Sequence, residues 1–256
     1  MPCARPSVGI SRIRSGSAPS LRRPRIRDRE SAREKPCAGA GRTDSVASFE
    51  PAAMLRDLLA RAGVYRGFSS LIGAARGRRV HIEQHIRPRA GDRVLDIGCG
   101  PADILEALPP VEYHGFDLSA DYIEAARKRF GGRGTFHVEA VDAEQVKQYA
   151  GFDLVLATGV VHHLTDAEAL DLFRVAAAAL KPGGRLVTLD GCLVEGQSPV
   201  ARWLLKRDRG QFVRGQAAYL ALARAVFSKV QPTVTTGLLR IPYTHLVMEC
   251  SDPVGD

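Results

Sequence analysis

The sequence contains no run approaching the roughly 18 consecutive apolar residues that a membrane-crossing helix needs, which excludes an integral helical membrane protein. It has five cysteines (Cys3, Cys37, Cys99, Cys192, Cys250), and no two of them form C-x-x-C. That excludes a zinc knuckle and argues against a disulfide framework, so no metal site and a reducing, cytoplasmic compartment are expected. The start also lacks the apolar core of a secretory signal. No internal repeat is visible. Its 256 residues, 45% of them hydrophobic, suffice for one domain of ordinary size plus an appendage.

The net charge of +8 is unevenly spread. Residues 1–53 hold 11 basic and 5 acidic side chains, six prolines and only seven Leu, Ile, Val or Phe. Such a segment buries too little surface to offset its ordering entropy. It is expected to be a disordered basic arm, a targeting leader, or sequence upstream of a true start at Met54. Residues 54–93 carry 9 basic and 3 acidic residues, 94–201 carry 8 and 16, and 202–256 carry 8 and 4. An acidic centre is therefore flanked by two arginine-rich segments.

From residue 93 strands and helices alternate. Arg93–Ile97, Tyr113–Phe116, Thr135–Val138, Asp153–Ala157 and Arg185–Asp190 read as strands. Ala102–Leu108, a helix capped by Ser119 and ended by Gly131-Gly132, a short helix over Glu144–Tyr149, and a helix from Thr165 to Leu180 separate them. Lys181–Gly184 reads as a tight turn. Ser198-Pro199 opens a helix running to Lys206, Gln216–Lys229 reads as another, and Thr233–Ile241 and Tyr243–Cys250 as an edge hairpin joined at Pro242. Met54–Ala62 and Ala75–Ile86 read as two amphipathic helices before the sheet. The fold class is α/β: a Rossmann-like, seven-stranded, mostly parallel sheet with helices on both faces and a C-terminal antiparallel hairpin.

The most informative segment is Val94-Leu-Asp-Ile-Gly-Cys-Gly-Pro-Ala-Asp103: strand, glycine loop, helix. Glycines at 98 and 100 let the backbone turn sharply and approach a ligand closely. No Gly-Lys-Ser/Thr follows, so a P-loop is excluded. A dinucleotide site wants G-x-G-x-x-G/A, and Asp103 at the third position would repel a pyrophosphate. Together with Asp117 closing strand two, Asp142-Ala143 after strand three, Phe152–Leu164 and Leu180-Lys-Pro-Gly-Gly184, the pattern resembles the class I S-adenosylmethionine-dependent methyltransferases over about residues 90–191. The third glycine place is Ala102, a mild departure. The resemblance implies S-adenosyl-L-methionine as cofactor, held by Asp96, Gly98, Cys99, Gly100, Asp117, Leu118, Asp142, Ala143 and Thr158, with Asp117 gripping the ribose hydroxyls. It divides the chain into residues 1–53 and a methyltransferase domain over 54–256. In that domain 54–92 is expected as a helical lid, 93–191 as the cofactor-binding core, and 192–256 as C-terminal helices and hairpin.

Methyl transfer from a sulfonium is an in-line displacement, so holding donor and acceptor in alignment is the main requirement, and a base is needed only for a protonated acceptor. His163 is the candidate base, with His162 and His245 weaker ones; one imidazole of the 162–163 pair is expected inward and one outward. Tyr65 and Tyr219 either line the cleft or fill the core. Ala157-Thr-Gly-Val160 stands where amino-methylating nucleic-acid enzymes carry Asp/Asn-Pro-Pro-aromatic, and Cys192 reads as core. Arg76, Arg78, Arg79, Arg87 and Arg89 before the sheet, and Arg202, Lys206, Arg207, Arg209 and Arg214 after it, are expected to favour an anionic acceptor. The acceptor is read as small or lipid/glycan-linked, methylated on O or N. Peripheral membrane contact near Trp203–Arg207 is an option, nucleic acid is disfavoured, and no obligate protein partner is evident. Alternatives are an RNA methyltransferase using the basic arm, a non-catalytic cofactor-binding domain and, more distantly, a dehydrogenase.

Overall fold

The computed structural model describes residues 73–141, 146, 149–208 and 210–255. The segment 1–72, with Met54–Ala62 and Tyr65, lies outside them, as do Asp142, Ala143 and Arg209. The described chain forms α1 (Ala74–His81), β1 (Arg93–Ile97), β2 (Glu112–Asp117), α2 (Ala120–Phe130), β3 (Thr135–Val138), β4 (Phe152–Thr158), α3 (Asp166–Ala179), β5 (Leu180–Gly191), α4 (Pro199–Lys206), α5 (Gln216–Arg224), β6 (Phe227–Thr235) and β7 (His245–Pro253). One seven-stranded sheet has the order β3-β2-β1-β4-β5-β7-β6. Strands β1 to β5 pair in parallel, and β7 runs antiparallel to both β5 and β6.

Alternation along the strands builds two cores. Leu95, Val155, Ala157 and Leu186 pack on α3 and α5 through Leu172, Phe173, Ala176, Tyr219 and Leu220. Val94, Leu154, Leu156, Val187 and Val247 pack on the other face with Ile86 and with Ile123, Ala126 and Phe130 of α2. A parallel sheet covered on both faces needs such runs, apolar at every position. The described part of the expected lid lies in this second layer: α1 continues into a π turn, Ile82–Ile86, whose isoleucines are core.

Several elements differ from the sequence expectation. Ala102–Leu108 forms only a 3-10 turn, Asp103–Glu106, because Ala102 takes a left-handed backbone (φ 54°) and Pro109-Pro110 follow closely. Lys181–Gly184 is an excursion inside β5: the register steps from Phe152↔Leu180 to Leu154↔Arg185. α5 stops at Arg224, and Phe227 already pairs with Pro253. β6 and β7 are displaced from 233–241 and 243–250, so Pro242 lies in a longer connection. β7 is interior, and His245 does not stand on an edge strand.

Candidate functional site

The parallel strands β1, β2 and β4 end at one rim of the sheet, where such folds bind ligands. Strand β1 ends in Gly98-Cys99-Gly100. The N–H groups of Gly98 and Cys99 both donate to the Phe116 carbonyl, at 2.8 and 3.0 Å, which staples the loop to β2. Gly98 has φ 71°, and a Cβ there would lie 2.6 Å from Val160 Cγ2, so only glycine fits. Gly100 has φ 54°, and a Cβ there would meet nothing within 4 Å. Its side of the loop faces open space.

Asp117 closes β2 beside this space. Its Oδ2 accepts from Gly100 N–H at 2.9 Å and its Oδ1 from Ser119 N–H at 2.8 Å. Ser119 itself caps α2 by accepting from Tyr122 N–H, which leaves Asp117 out of the helix cap. Each carboxylate oxygen keeps a further lone pair. Leu118 next to it is 76% exposed. Thr158 ends β4, and its buried hydroxyl has no partner among the described atoms. Cys99 contributes its backbone: burial pushes its thiol far up, so the sulfur is inert. An apolar platform, a carboxylate beside an open glycine loop, and an unmet hydroxyl fit a nucleoside with a polar tail.

Asp96 lies behind the loop, buried, with Tyr113 Oη donating to its Oδ2 at 2.6 Å. Burial raises its pKa to about 7; the Tyr113 hydrogen bond opposes this, and the Asp117 charge adds to it. Asp103 does not face the rim. It pairs with Arg129 and Arg78, so its charge is neutralised and gives no argument against a pyrophosphate.

The far side of the rim holds a constellation that sequence reasoning missed. His162 is buried, with Nδ1 2.8 Å from Asp190 Oδ1 and Nε2 3.5 Å from Asp208 Oδ1. Tyr243 Oη donates to Asp208 Oδ2. Burial by itself lowers the His162 pKa, but the hydrogen bonds to the two aspartates outweigh it and raise it to about 9. His162 is therefore an imidazolium at neutral pH and no base. His163 is exposed, its ring 4.2 Å from that of His162, which gives the expected inward and outward pair. Burial lowers the pKa of His245 to about 4. Tyr219 is core, its hydroxyl donating to Gly191 O at 3.0 Å, and Cys192 is core as expected. Asp190 has a legible signal, an acid closing β5 as Asp117 closes β2. Asp208 and Tyr243 have none.

Three of the expected wall cations are engaged in ion pairs. Arg78 pairs with Asp103 and Glu106, Arg87 with Glu249, and Arg214 with Asp166. A depression of about 460 Å³ lined by Glu112, His114, Gly132, Arg133 and Thr135 lies where β2 and β3 begin, at the opposite end from the loop.

A Rossmann-like sheet, a glycine loop after its first strand and an acid closing its second define a class of nucleoside-binding α/β domains. Residues 95–186 match the family model of the methyltransferase domain. The chain is 36% identical over 119 residues to the 27-O-demethylrifamycin SV methyltransferase of Amycolatopsis mediterranei, covering 41% of each protein. It is 34% identical over 155 residues to a ubiquinone biosynthesis O-methyltransferase of Chelativorans sp., covering 54% of this chain and 60% of that one. Among solved structures, the apo S-adenosylmethionine-dependent methyltransferase SibL aligns with a TM-score of 0.58 at 24% identity, over 75% of this chain and 57% of that one. Mitomycin 7-O-methyltransferase MmcR aligns at 0.57 and 19%, over 78% and 58%. Residues 95–186 thus match a methyltransferase domain, and the sheet has the fold of solved S-adenosylmethionine-dependent methyltransferases. It spans roughly half the length of the curated relatives it matches. Among the described residues no helix is long and apolar enough to cross a membrane.

Proposed function

We propose that this protein transfers the methyl group of S-adenosylmethionine to an oxygen of a small or lipid-linked organic acceptor. The observation that carries the reading is the pairing of the open Gly98–Gly100 loop with the Asp117 carboxylate. That one matched relative is named an O-methyltransferase and another a methyltransferase of an O-demethyl compound supports oxygen over nitrogen.

When bound, the cofactor supplies an activated methyl group, and the protein has to hold and align. Asp117 uses its remaining lone pairs for the two ribose hydroxyls. Leu118 offers its exposed side chain to the adenine face. The backbone at Gly98, Cys99 and Gly100 gives close approach, and Thr158 donates to the polar tail. For the adenine edge the candidates remain Asp142 and Ala143, which lie outside the described residues. Asp96 sets the charge beneath the loop. His163, exposed beyond β4, takes the proton of a hydroxyl acceptor, because the His162 imidazolium has no lone pair to offer. Arg78, Arg87 and Arg214 are engaged in ion pairs, whereas Arg202, Lys206 and Arg207, on and just after α4, are exposed.

The test is calorimetric titration of the full chain with S-adenosylmethionine and S-adenosylhomocysteine. Binding near −8 kcal/mol, roughly micromolar, is expected. Asp117→Ala should weaken it at least tenfold with unchanged circular dichroism. No binding of either ligand to the folded chain would overturn the reading.

A further inference from the structure

We propose that the outward face of α4 is a docking surface for an anionic lipid bilayer. Ser198 accepts from Ala201 N–H and Pro199 takes the first position, so the helix starts sharply. Ala201 and Leu205, one turn apart, face the core. The opposite face then carries Val200, Trp203 and Arg207, spaced i, i+3, i+7. Val200 is 54% and Trp203 51% exposed. Of seven exposed large apolar side chains among the described residues, three (Val200, Trp203, Phe212) fall in this short stretch, so the exposure is concentrated rather than scattered.

The charges around it are sorted by the fold. The segment 198–214 contains five basic residues and one acid, Asp208. Asp208 is turned inward, bonded to Tyr243, Gly210 N–H and His162. Arg214 is also turned inward, to Asp166 and the carbonyls of Val161 and Leu164. The outward charge is that of Arg202, Lys206 and Arg207, all exposed. The Arg207 guanidinium lies 4.2 Å from the centre of the Trp203 ring, a cation and an aromatic plane presented together.

An indole with an aliphatic neighbour, ringed by cations and with its one acid withdrawn, complements a bilayer interface: the ring seats at headgroup depth and the cations meet lipid phosphates. A nucleic-acid backbone would satisfy the cations but leave Val200 unused. β5 delivers α4 to the rim that carries the glycine loop. On the methyl-transfer reading, docking would bring that rim to the surface where an amphipathic acceptor resides. The docking itself does not rest on that reading.

Trp203 is the only tryptophan in the chain, so its fluorescence reports this face alone. The full chain is titrated with phosphatidylcholine vesicles, with and without phosphatidylglycerol, at low and high salt. A blue shift with phosphatidylglycerol, quenched by brominated acyl chains and reversed by salt, is expected. Replacing Arg202, Lys206 and Arg207 together by Gln should lower partitioning about fivefold per residue, roughly hundredfold in all. Val200→Ser should weaken it further, with S-adenosylmethionine affinity unchanged. An unshifted Trp203 in a chain that circular dichroism shows folded would overturn the proposal. So would a shift that the triple Gln variant retains, or one produced by an RNA oligonucleotide instead of vesicles. Cofactor titration of the same samples keeps failure of docking separate from failure of the methyl-transfer reading.

Discussion

Two glycines two residues apart carry different duties. At Gly98 a methyl group would strike Val160 in a backbone already left-handed. Gly98→Ala should therefore cost roughly 2 kcal/mol of stability, read by urea unfolding. At Gly100 the same substitution meets open space, and Ala102 shows that alanine is accepted at φ 54° in this loop. Gly100→Ala should cost only about 1 kcal/mol of folding. It should nevertheless lower S-adenosylmethionine affinity tenfold or more, because the added methyl fills the face the nucleoside approaches. Equal loss of stability and binding in both variants would contradict this division. The loop was legible residue by residue because its chemistry is local: the spacing Asp96, Gly98, Gly100 and an acid 17 residues later is itself the signal. The Asp96–Tyr113 bond was not, since it depends on the parallel register that sets Val94 opposite Tyr113.

The chain from Arg207 to Gly215 behaves as a strap over the turn after β4. Asp208 reaches His162, Phe212 N–H donates to the His162 carbonyl at 2.9 Å, and a Cβ on Gly210 would overlap the His162 ring. Arg214 fastens the far end to Val161, Leu164 and Asp166. His162 is thus a buried cation between two carboxylates, and removing it leaves them uncompensated. His162→Gln should cost about 3–5 kcal/mol at pH 7. The sign with pH follows from a folded pKa of about 9 against 6.5. The imidazolium contributes about 3 kcal/mol, fully present below pH 6.5 and lost as pH rises to 9. The difference between wild type and variant should shrink over that range, a comparison that cancels the opposite contribution of buried His81. A constant difference would refute the assignment. Elements set by local signals fell where the sequence put them, as β3 between its turn residues and α4 behind Ser198-Pro199 did. Elements set by distant partners did not. The stretch Leu238-Leu-Arg-Ile241 resembles a strand, but Leu238 is buried with its carbonyl 2.4 Å from where a Cβ on Gly77 would stand, so α1 holds that stretch as a connection. Phe227, helical by spacing, is claimed by pairing with β7. The Asp190–His162–Asp208–Tyr243 cluster joins residues 28 to 46 positions apart and becomes visible only once folded.

Across the molecule, the two ends of the sheet differ in character. One end gathers the glycine loop, the buried Asp96, the imidazolium strap and α4; the other carries turns and the shallow depression beside β3. The edge strands β3 and β6 are four and nine residues long, and β6 contains Lys229 and Pro232, which blunt edge-to-edge pairing. The protonation of Asp96 reaches beyond folding, into turnover. Its pKa of about 7 leaves the pocket floor close to neutral in mild acid and negative in mild base. On the methyl-transfer reading the donor is a sulfonium and the spent product a neutral thioether, so only the donor gains from that charge. The ratio of product to donor dissociation constants should rise as pH goes from 6 to 8, and should stay flat in Asp96→Asn. Product inhibition would then ease as the medium becomes more alkaline, with one buried carboxyl setting how readily the enzyme discards what it has used.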